Sequence, residues 1–294
     1  MFESLGRSWN LAMESLRLLR KNKALLAFPV ASFVAVLFLA IVIGAVIIGL
    51  SLWPSQGITL PGVLAILLFY LGSYFATIYF QVALVSAVKS HLAGGKPTLG
   101  YGLQEANKRL GAIASWAIIA AIVGMLLRIL EEIAKRNDSQ WGRFIGQILV
   151  GIAGAAWSLA TFFVIPVMAY EGVGGFGALK RSVGIVTKRW GEAVIGQAGI
   201  ALVFQIMSVV VALVLGYVGV SLLGAGGAAA VLGWAVIAGG LAVVSLLIAS
   251  GAAMESIYVT VLYEYATVGK VAAFDRATLD SAFKPSPRSQ QPSF

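Results

Sequence analysis

Residues 24–88 read ALLAFPVASFVAVLFLAIVIGAVIIGLSLWPSQGITLPGVLAILLFYLGSYFATIYFQVALVSAV, 65 consecutive positions without an Asp, Glu, Lys, Arg or His. A second run, residues 193–254, is equally free of charge over 62 positions. One bilayer crossing needs only about 20 apolar residues, so each run holds two crossings and a turn. The first run divides at Trp53-Pro54-Ser55-Gln56-Gly57, too polar and turn-prone for hydrocarbon, into crossings near 25–51 and 61–88. The second divides near Gly224-Ala225-Gly226-Gly227 into crossings near 193–218 and 230–262. Between the runs, further crossings fall near 110–130 and 144–170. The fold class is therefore all-α, a polytopic membrane protein with six transmembrane helices. Continuous apolar runs, rather than short alternating strands, exclude a barrel.

Composition agrees. The chain is 60% hydrophobic and only 11% charged, with mean hydropathy +0.93, against about 25% charged in ordinary globular chains. It has no Cys, which excludes disulfides, thiolate metal sites and cysteine nucleophiles. The net charge of +9 would suggest nucleic acid if its placement were ignored. The basic residues instead flank the apolar runs: with the N-terminus inside, 17 fall on the cytosolic side and only Arg128, Lys135, Arg136 and Arg143 outside. That asymmetry predicts both termini in the cytosol and excludes nucleic acid as partner. Glu131 and Glu132 precede Lys135 and Arg136 by four residues, the favourable order for helix ion pairs, so this outer end reads as a solvated helix end finishing at Asn137-Asp138-Ser139. The first 22 residues carry Glu3 and Glu14 among basic residues and lack the short apolar core of a cleavable signal; the first crossing reads as an uncleaved anchor.

The chain also matches itself. Residues 94–111 (GGKPTLGYGLQEANKRLG) and 174–191 (GGFGALKRSVGIVTKRWG) share Gly94/Gly174, Gly95/Gly175, Leu99/Leu179, Lys108/Lys188, Arg109/Arg189 and Gly111/Gly191 without a gap. The offset of 80 residues spans two crossings, so both copies face one compartment. Each precedes a crossing and carries a helical apolar stripe: Leu99, Leu103, Ala106 and Leu110 in one, Phe176, Leu179, Val183, Val186 and Trp190 in the other. The N-terminus repeats the pattern with Leu5, Trp9, Ala12, Leu16 and Leu19, and a fainter copy begins at Gly269-Lys270. The chain thus reads as one membrane domain over 1–283, built from three parallel repeats of amphipathic interfacial helix plus transmembrane hairpin. The units run approximately 1–88, 89–170 and 171–265, with a closing amphipathic segment at 270–283 and a disordered tail at 284–294. Such helices place cations near anionic headgroups, each contributing about 1 kcal/mol. A plainer role, connecting and orienting the crossings, accounts for the same pattern.

Three stretches carry a resemblance: WSLATFFVIPVMAYEGVGGFGALKRSVGIVTKRWGEAVIGQAGI at 157–200, LYEYATVG at 262–269, and SWNLAMESLRLLRKNKALLAFPVAS at 8–32. Together they resemble an uncharacterised family of largely prokaryotic integral membrane proteins, described as a domain of unknown function. More distantly, the helix-then-hairpin plan is similar to the membrane domain attached to some glycerophosphodiester phosphodiesterases, without a counterpart of their soluble catalytic barrel. The resemblance implies a six-helix membrane fold and supplies no reaction or catalytic residues.

Glu255 is the sharpest individual residue, an acid within the last crossing. An ionised carboxylate facing lipid costs about 2.5–3.5 kcal/mol, so it is expected to face inward. Two readings stay open: a proton- or cation-binding carboxylate, or a carboxyl that locks helix packing with Gln197, Gln205 or a Tyr. Glu264, between Tyr263 and Tyr265, reads as part of an aromatic belt. A Glu171–Arg181 bridge is conceivable without support from spacing. His91, read as a loop residue, has no second ligand nearby, so no metal is expected. Pro166 in FFVIPVM reads as a kink, and Gly146, Gly151, Gly154, Gly239 and Gly240 as close helix packing. No GxSxG, HExxH or phosphate loop occurs, so neither an enzyme nor a cofactor is expected.

The leading expectation is a non-catalytic plasma-membrane protein that organises lipid, anionic lipid in particular, or a protein partner at the inner leaflet. Its interface residues would be Trp9, Arg17, Lys21, Lys108, Arg109, Lys180, Arg181, Lys188, Arg189 and Trp190. The alternative is a small-solute or ion transporter with Glu255 as coupling site. The absence of native Cys makes the topology directly testable. A single cysteine replacing Lys96 or Lys180 is expected to resist a membrane-impermeant maleimide in intact cells and react after lysis. Labelling without lysis would overturn the orientation.

Overall fold

The computed structural model describes residues 15–51 (except 16 and 20), 60–136, 139–189 and 194–268. All regular structure among them is helical: a 3₁₀ turn Lys23–Leu26, then α1 (Ala27–Ser51), α2 (Leu60–Leu92), α3 (Leu99–Asn107), α4 (Leu110–Lys135), α5 (Gln140–Thr161), α6 (Val164–Glu171), α7 (Gly175–Arg189), α8 (Val194–Gly224) and α9 (Gly227–Val268). Six stretches are long and apolar enough to cross a membrane: Lys23–Gly49, Leu60–Leu92, Leu110–Lys135, Gln140–Glu171, Val203–Gly224 and Gly227–Val268. They correspond one for one to the six apolar segments of the sequence. The Val/Ile-rich α1 would favour a strand in water. In hydrocarbon a helix wins, because it alone satisfies every backbone N–H and C=O within one segment. The turn at 53–57, the N-terminal repeat copy through residue 14, the closing segment 270–283 and the tail lie outside the described residues.

The chain forms two compact units, Ala31–Gly191 and Met1–Val30 with Glu192–Phe294. In the first, α2 packs on α3, α4 and α6, while α7 rests on α4, α5 and α6. Its buried residues gather at the end where α3 and α7 lie. Val82 to Val88 of α2 are buried without interruption, with Ile113, Trp116, Ala117 and Ala121 of α4, and Phe162–Val164 and Val167–Ala169 around the start of α6. The other halves of these helices are bare: α5 buries no residue, and Leu60–Leu68 and Ile122–Ile133 expose large apolar side chains. Apolar surface of that extent is lipid-facing rather than water-facing.

The fourth crossing is broken, not merely kinked. α5 ends at Thr161 and α6 begins at Val164. Pro166 explains the site of the break: its ring clashes with the carbonyl four residues back, that of Phe162, and it donates no N–H. The Phe163 N–H freed by the break donates to Ser182 Oγ of α7 at 3.0 Å. A second hydroxyl ties α7 to α4, since the Gly175 N–H donates to Ser115 Oγ at 2.9 Å. Gly175 also lies so close that a Cβ there would stand 2.7 Å from the Trp116 backbone.

In the second unit α8 and α9 form a long antiparallel hairpin whose turn uses Gly226 and Gly227 at φ +72° and +55°. Small residues let the two backbones close: a Cβ on Gly233 would stand 2.8 Å from the Gly219 carbonyl, one on Gly240 3.0 Å from Leu215, and one on Gly251 2.9 Å from Phe204. The glycine expectation is thus corrected in part. Gly146 packs on Ala134, its would-be Cβ at 2.8 Å, and Gly240 packs as stated, but Gly151, Gly154 and Gly239 have nothing within 4 Å of a would-be Cβ. The 3₁₀ turn packs on α9, and Leu25 and Phe28 are fully buried.

Gly175→Ala is expected to overpack the α7–α4 contact and to cost about 1–3 kcal/mol. It should lower the melting temperature of the detergent-solubilised protein, whereas Gly151→Ala, in open space, leaves it unchanged.

Candidate functional site at the short-helix end

α3 starts where Thr98 caps it, its hydroxyl accepting the Tyr101 N–H at 3.3 Å, after a turn that needs Gly94 at φ +87°. At its other end, Glu105 Oε1 accepts Lys108 Nζ at 2.6 Å and Oε2 accepts an Arg109 N–H at 2.8 Å. Arg109 also donates to the Glu105 carbonyl at 2.7 Å. The Glu105 and Arg109 side chains are only 16% exposed, Lys108 60%. The hydrogen bond from Lys108, then that from Arg109, hold the Glu105 carboxyl below its ordinary range. Of the repeated Lys-Arg pair, Lys108 therefore projects outward while Arg109 is turned into the chain as the α3–α4 joint. Nearby, the Tyr79 hydroxyl donates to Asn107 Oδ1 at 2.8 Å.

α7 divides into three sectors. Gly175, Ala178, Ser182 and Ile185, spaced three and four apart, are buried. The stripe read from sequence lies about 100° round the helix and points away from the protein: Phe176 is 73% and Val183 38% exposed, with Leu179 and Val186 half-buried. Lys180 and Arg181 occupy the remaining side, both exposed. Arg181 Nε meets Glu171 Oε1 at 2.9 Å. That bridge, for which spacing gave no support, forms because Gly172 (φ +68°) folds α7 back beside the end of α6. Lys89 Nζ sits 4.5 Å from the centre of the Tyr170 ring.

Arg17 and Lys21 are exposed. Trp9 and Trp190, and the side chains of Lys188 and Arg189, lie outside the described residues. Glu255 is half-buried on α9; Gln205 is exposed, and the Gln197 side chain lies outside the described residues. Two expectations need correction. Tyr263 is 2% exposed, a packed core residue rather than a belt anchor, because Ile257–Tyr263 are buried all round α9. His91 belongs to the last turn of α2 rather than to a loop. No group of three metal-ligating side chains occurs among the described residues.

The predicted outer ion pairs form, Lys135 to Glu131 at 2.6 Å and Arg136 to Glu132 at 2.8 Å. Sequence reading missed Ser115 and Ser182, the two hydroxyls that dock α7. For Ser115 the available signal was a lone hydroxyl amid apolar residues, which in membranes marks helix-to-helix hydrogen bonding; Ser182, after Lys180 and Arg181, carried no such signal.

Six apolar helices, joined by short helices with basic surfaces, define a multi-pass membrane protein. The chain belongs to the family of unknown function DUF6159, whose model matches residues 60–273. No curated protein and no solved structure matches it.

Because folding lowers the Glu105 pKa, its stabilising contribution is complete above the ordinary carboxyl value and is lost as pH falls through the lower folded value. Glu105→Gln is expected to lower the melting temperature at neutral pH. The gap from wild type should close as both are titrated well below the ordinary value of 4.5. A gap that persists unchanged in acid would show that the carboxylate charge plays no part.

Proposed function

We propose that this protein is a non-catalytic organiser of anionic lipid at the cytosolic face of the plasma membrane, with both termini in the cytosol. In this reading α3 and α7 are equivalent interfacial helices of three parallel repeats. The same plan underlies the likeness to the glycerophosphodiester phosphodiesterase membrane domain. The observation that supports it is the three-sided division of α7: a small-residue side against protein, an apolar side (Phe176, Val183) turned outward, and exposed Lys180 and Arg181 on the third. A helix so divided suits a bilayer surface at the edge of a helical bundle, where protein, acyl chain and headgroup meet it from different directions. Lys108 adds a cation at the corresponding joint. The excess of basic residues on this side of the chain is what sets it toward the cytosol.

The test uses the full chain in vesicles carrying pyrene-labelled phosphatidylglycerol or phosphatidylcholine, with energy transfer from the protein's tryptophans as readout. Transfer to the anionic lipid is expected to exceed transfer to the zwitterionic one by about twofold at low salt. The preference should shrink near 1 M salt, where the screening length is about 3 Å, and in a Lys108→Ala, Lys180→Ala, Arg181→Ala variant. Equal transfer to both lipids at low salt would defeat the proposal. A small-solute or ion transporter using Glu255 then becomes the reading to pursue.

A further inference from the structure

We propose that Arg128 and the Tyr74 hydroxyl form a binding site for the phosphodiester of a membrane phospholipid, in the leaflet opposite α3 and α7. The site lies where α2 and α4 pack together. The Tyr70 hydroxyl lies 3.4 Å from both the Ala121 carbonyl oxygen and the Tyr74 hydroxyl, with the two rings 4.9 Å apart. Gly124 makes the notch: a Cβ there would stand 2.7 Å from Tyr74 Oη and 3.1 Å from Tyr70 Oη. Arg128 follows Gly124 by one turn on the same side of α4, which sets it next along the helix from the Tyr74 hydroxyl.

The guanidinium has donors to spare, and the Tyr74 hydroxyl can be turned to join it. The single Tyr70 hydrogen serves the Ala121 carbonyl or Tyr74 Oη, one at a time; when Tyr70 donates to Tyr74, the Tyr74 hydrogen is left for an anion. No hydrogen bond or ion pair engages the Arg128 guanidinium among the described residues either. The two carboxylates within a turn of it, Glu131 and Glu132, are held by Lys135 and Arg136. One cation is left over, exposed and beside a hydroxyl donor. An anion with several oxygens fits that set, and the planar guanidinium fork favours phosphate.

Position selects a lipid as the source. The 19 residues from 110 to 128 advance about 28 Å along a helix, close to the hydrocarbon thickness of about 30 Å. With the Lys108–Arg109 joint at one membrane surface, Arg128 stands at the headgroup level of the other. That joint's surface location is all the inference takes from the reading above. The structure thus separates Arg128 from the solvated pairs beyond it.

The test is native mass spectrometry of the full chain in detergent, titrated with phosphatidylcholine or with a phosphate-free galactosyl diacylglycerol of the same acyl chains. Arg128→Ala is expected to weaken the tightest phosphatidylcholine site about tenfold and Tyr74→Phe about threefold. Arg128→Lys should fall between wild type and Arg128→Ala, because it keeps the charge and loses the fork. Glycolipid binding should be the same in all four proteins. Equal phosphatidylcholine affinity in wild type and Arg128→Ala, or equal losses for the glycolipid, would overturn the site. Displacement by millimolar inorganic phosphate would also overturn it, making the ligand a soluble anion. Should Arg128→Ala fail to fold, Arg128→Lys and Tyr74→Phe decide alone. The Lys108, Lys180, Arg181 triple variant should keep this affinity, so failure at either surface is read separately.

Discussion

A backbone N–H with no partner in hydrocarbon costs several kcal/mol, and Pro166 creates that problem at Phe163. Ser182 answers it from α7 with a 3.0 Å bond. The consequence reaches beyond one hydrogen bond. To deliver its hydroxyl, α7 must lie across the break, and Gly172 and Gly175 let it do so: one turns the chain through a left-handed conformation, the other lets α7 touch the Trp116 backbone. The buried Ala178 and Ile185 follow from that placement, as does the outward direction of Phe176 and Val183. The break, the docked helix and its exposed basic side are one construction.

Placement also sorts the cations. Folding α7 back beside α6 brings Arg181 to Glu171, while the α3–α4 joint turns Arg109 inward onto Glu105 and leaves Lys108 outside. Sequence treats Lys108 and Arg109 as one basic dipeptide. The fold assigns them different work, one as an outward charge and one as a joint. Exposed surface pairs contribute little on their own. The Glu105 cluster is more sheltered, which is why its carboxyl is the one whose titration should be visible in stability.

The number and order of the apolar segments were legible because charge-free runs leave few alternatives in a bilayer. The short helices at 99–107 and 175–189 were legible through their repeated Gly-Gly and Lys-Arg borders. The buried side of α7 was not, because three of its four residues are Gly, Ala and Ser, which carry little hydrophobic signal beside Ile185; the apolar stripe marked the outward side instead. Nor does spacing say which glycines pack. Gly146 and Gly151 look alike in the chain, yet only the first faces a neighbouring helix. The Tyr74–Arg128 group joins residues 54 positions apart and becomes visible only once α2 and α4 are placed side by side.

Glu255 shows how length changes a sequence argument. An acid inside a long charge-free run reads as mid-membrane if its helix is one bilayer long. α9 has 42 residues, about 63 Å at about 1.5 Å per residue, twice the hydrocarbon thickness. Tyr217 and Trp234, 77% and 65% exposed near the α8–α9 turn, suit an aromatic belt at one membrane surface. From Trp234 to Glu255 is about 31 Å along the helix, so an upright α9 brings Glu255 to the opposite surface rather than to the centre. The uninterrupted burial of Ile257–Tyr263 just beyond it then belongs to protein packed outside the hydrocarbon. At that depth a half-buried carboxyl suits helix packing, one of its two readings, while the other, a coupling site at mid-membrane, needs a steep tilt of α9.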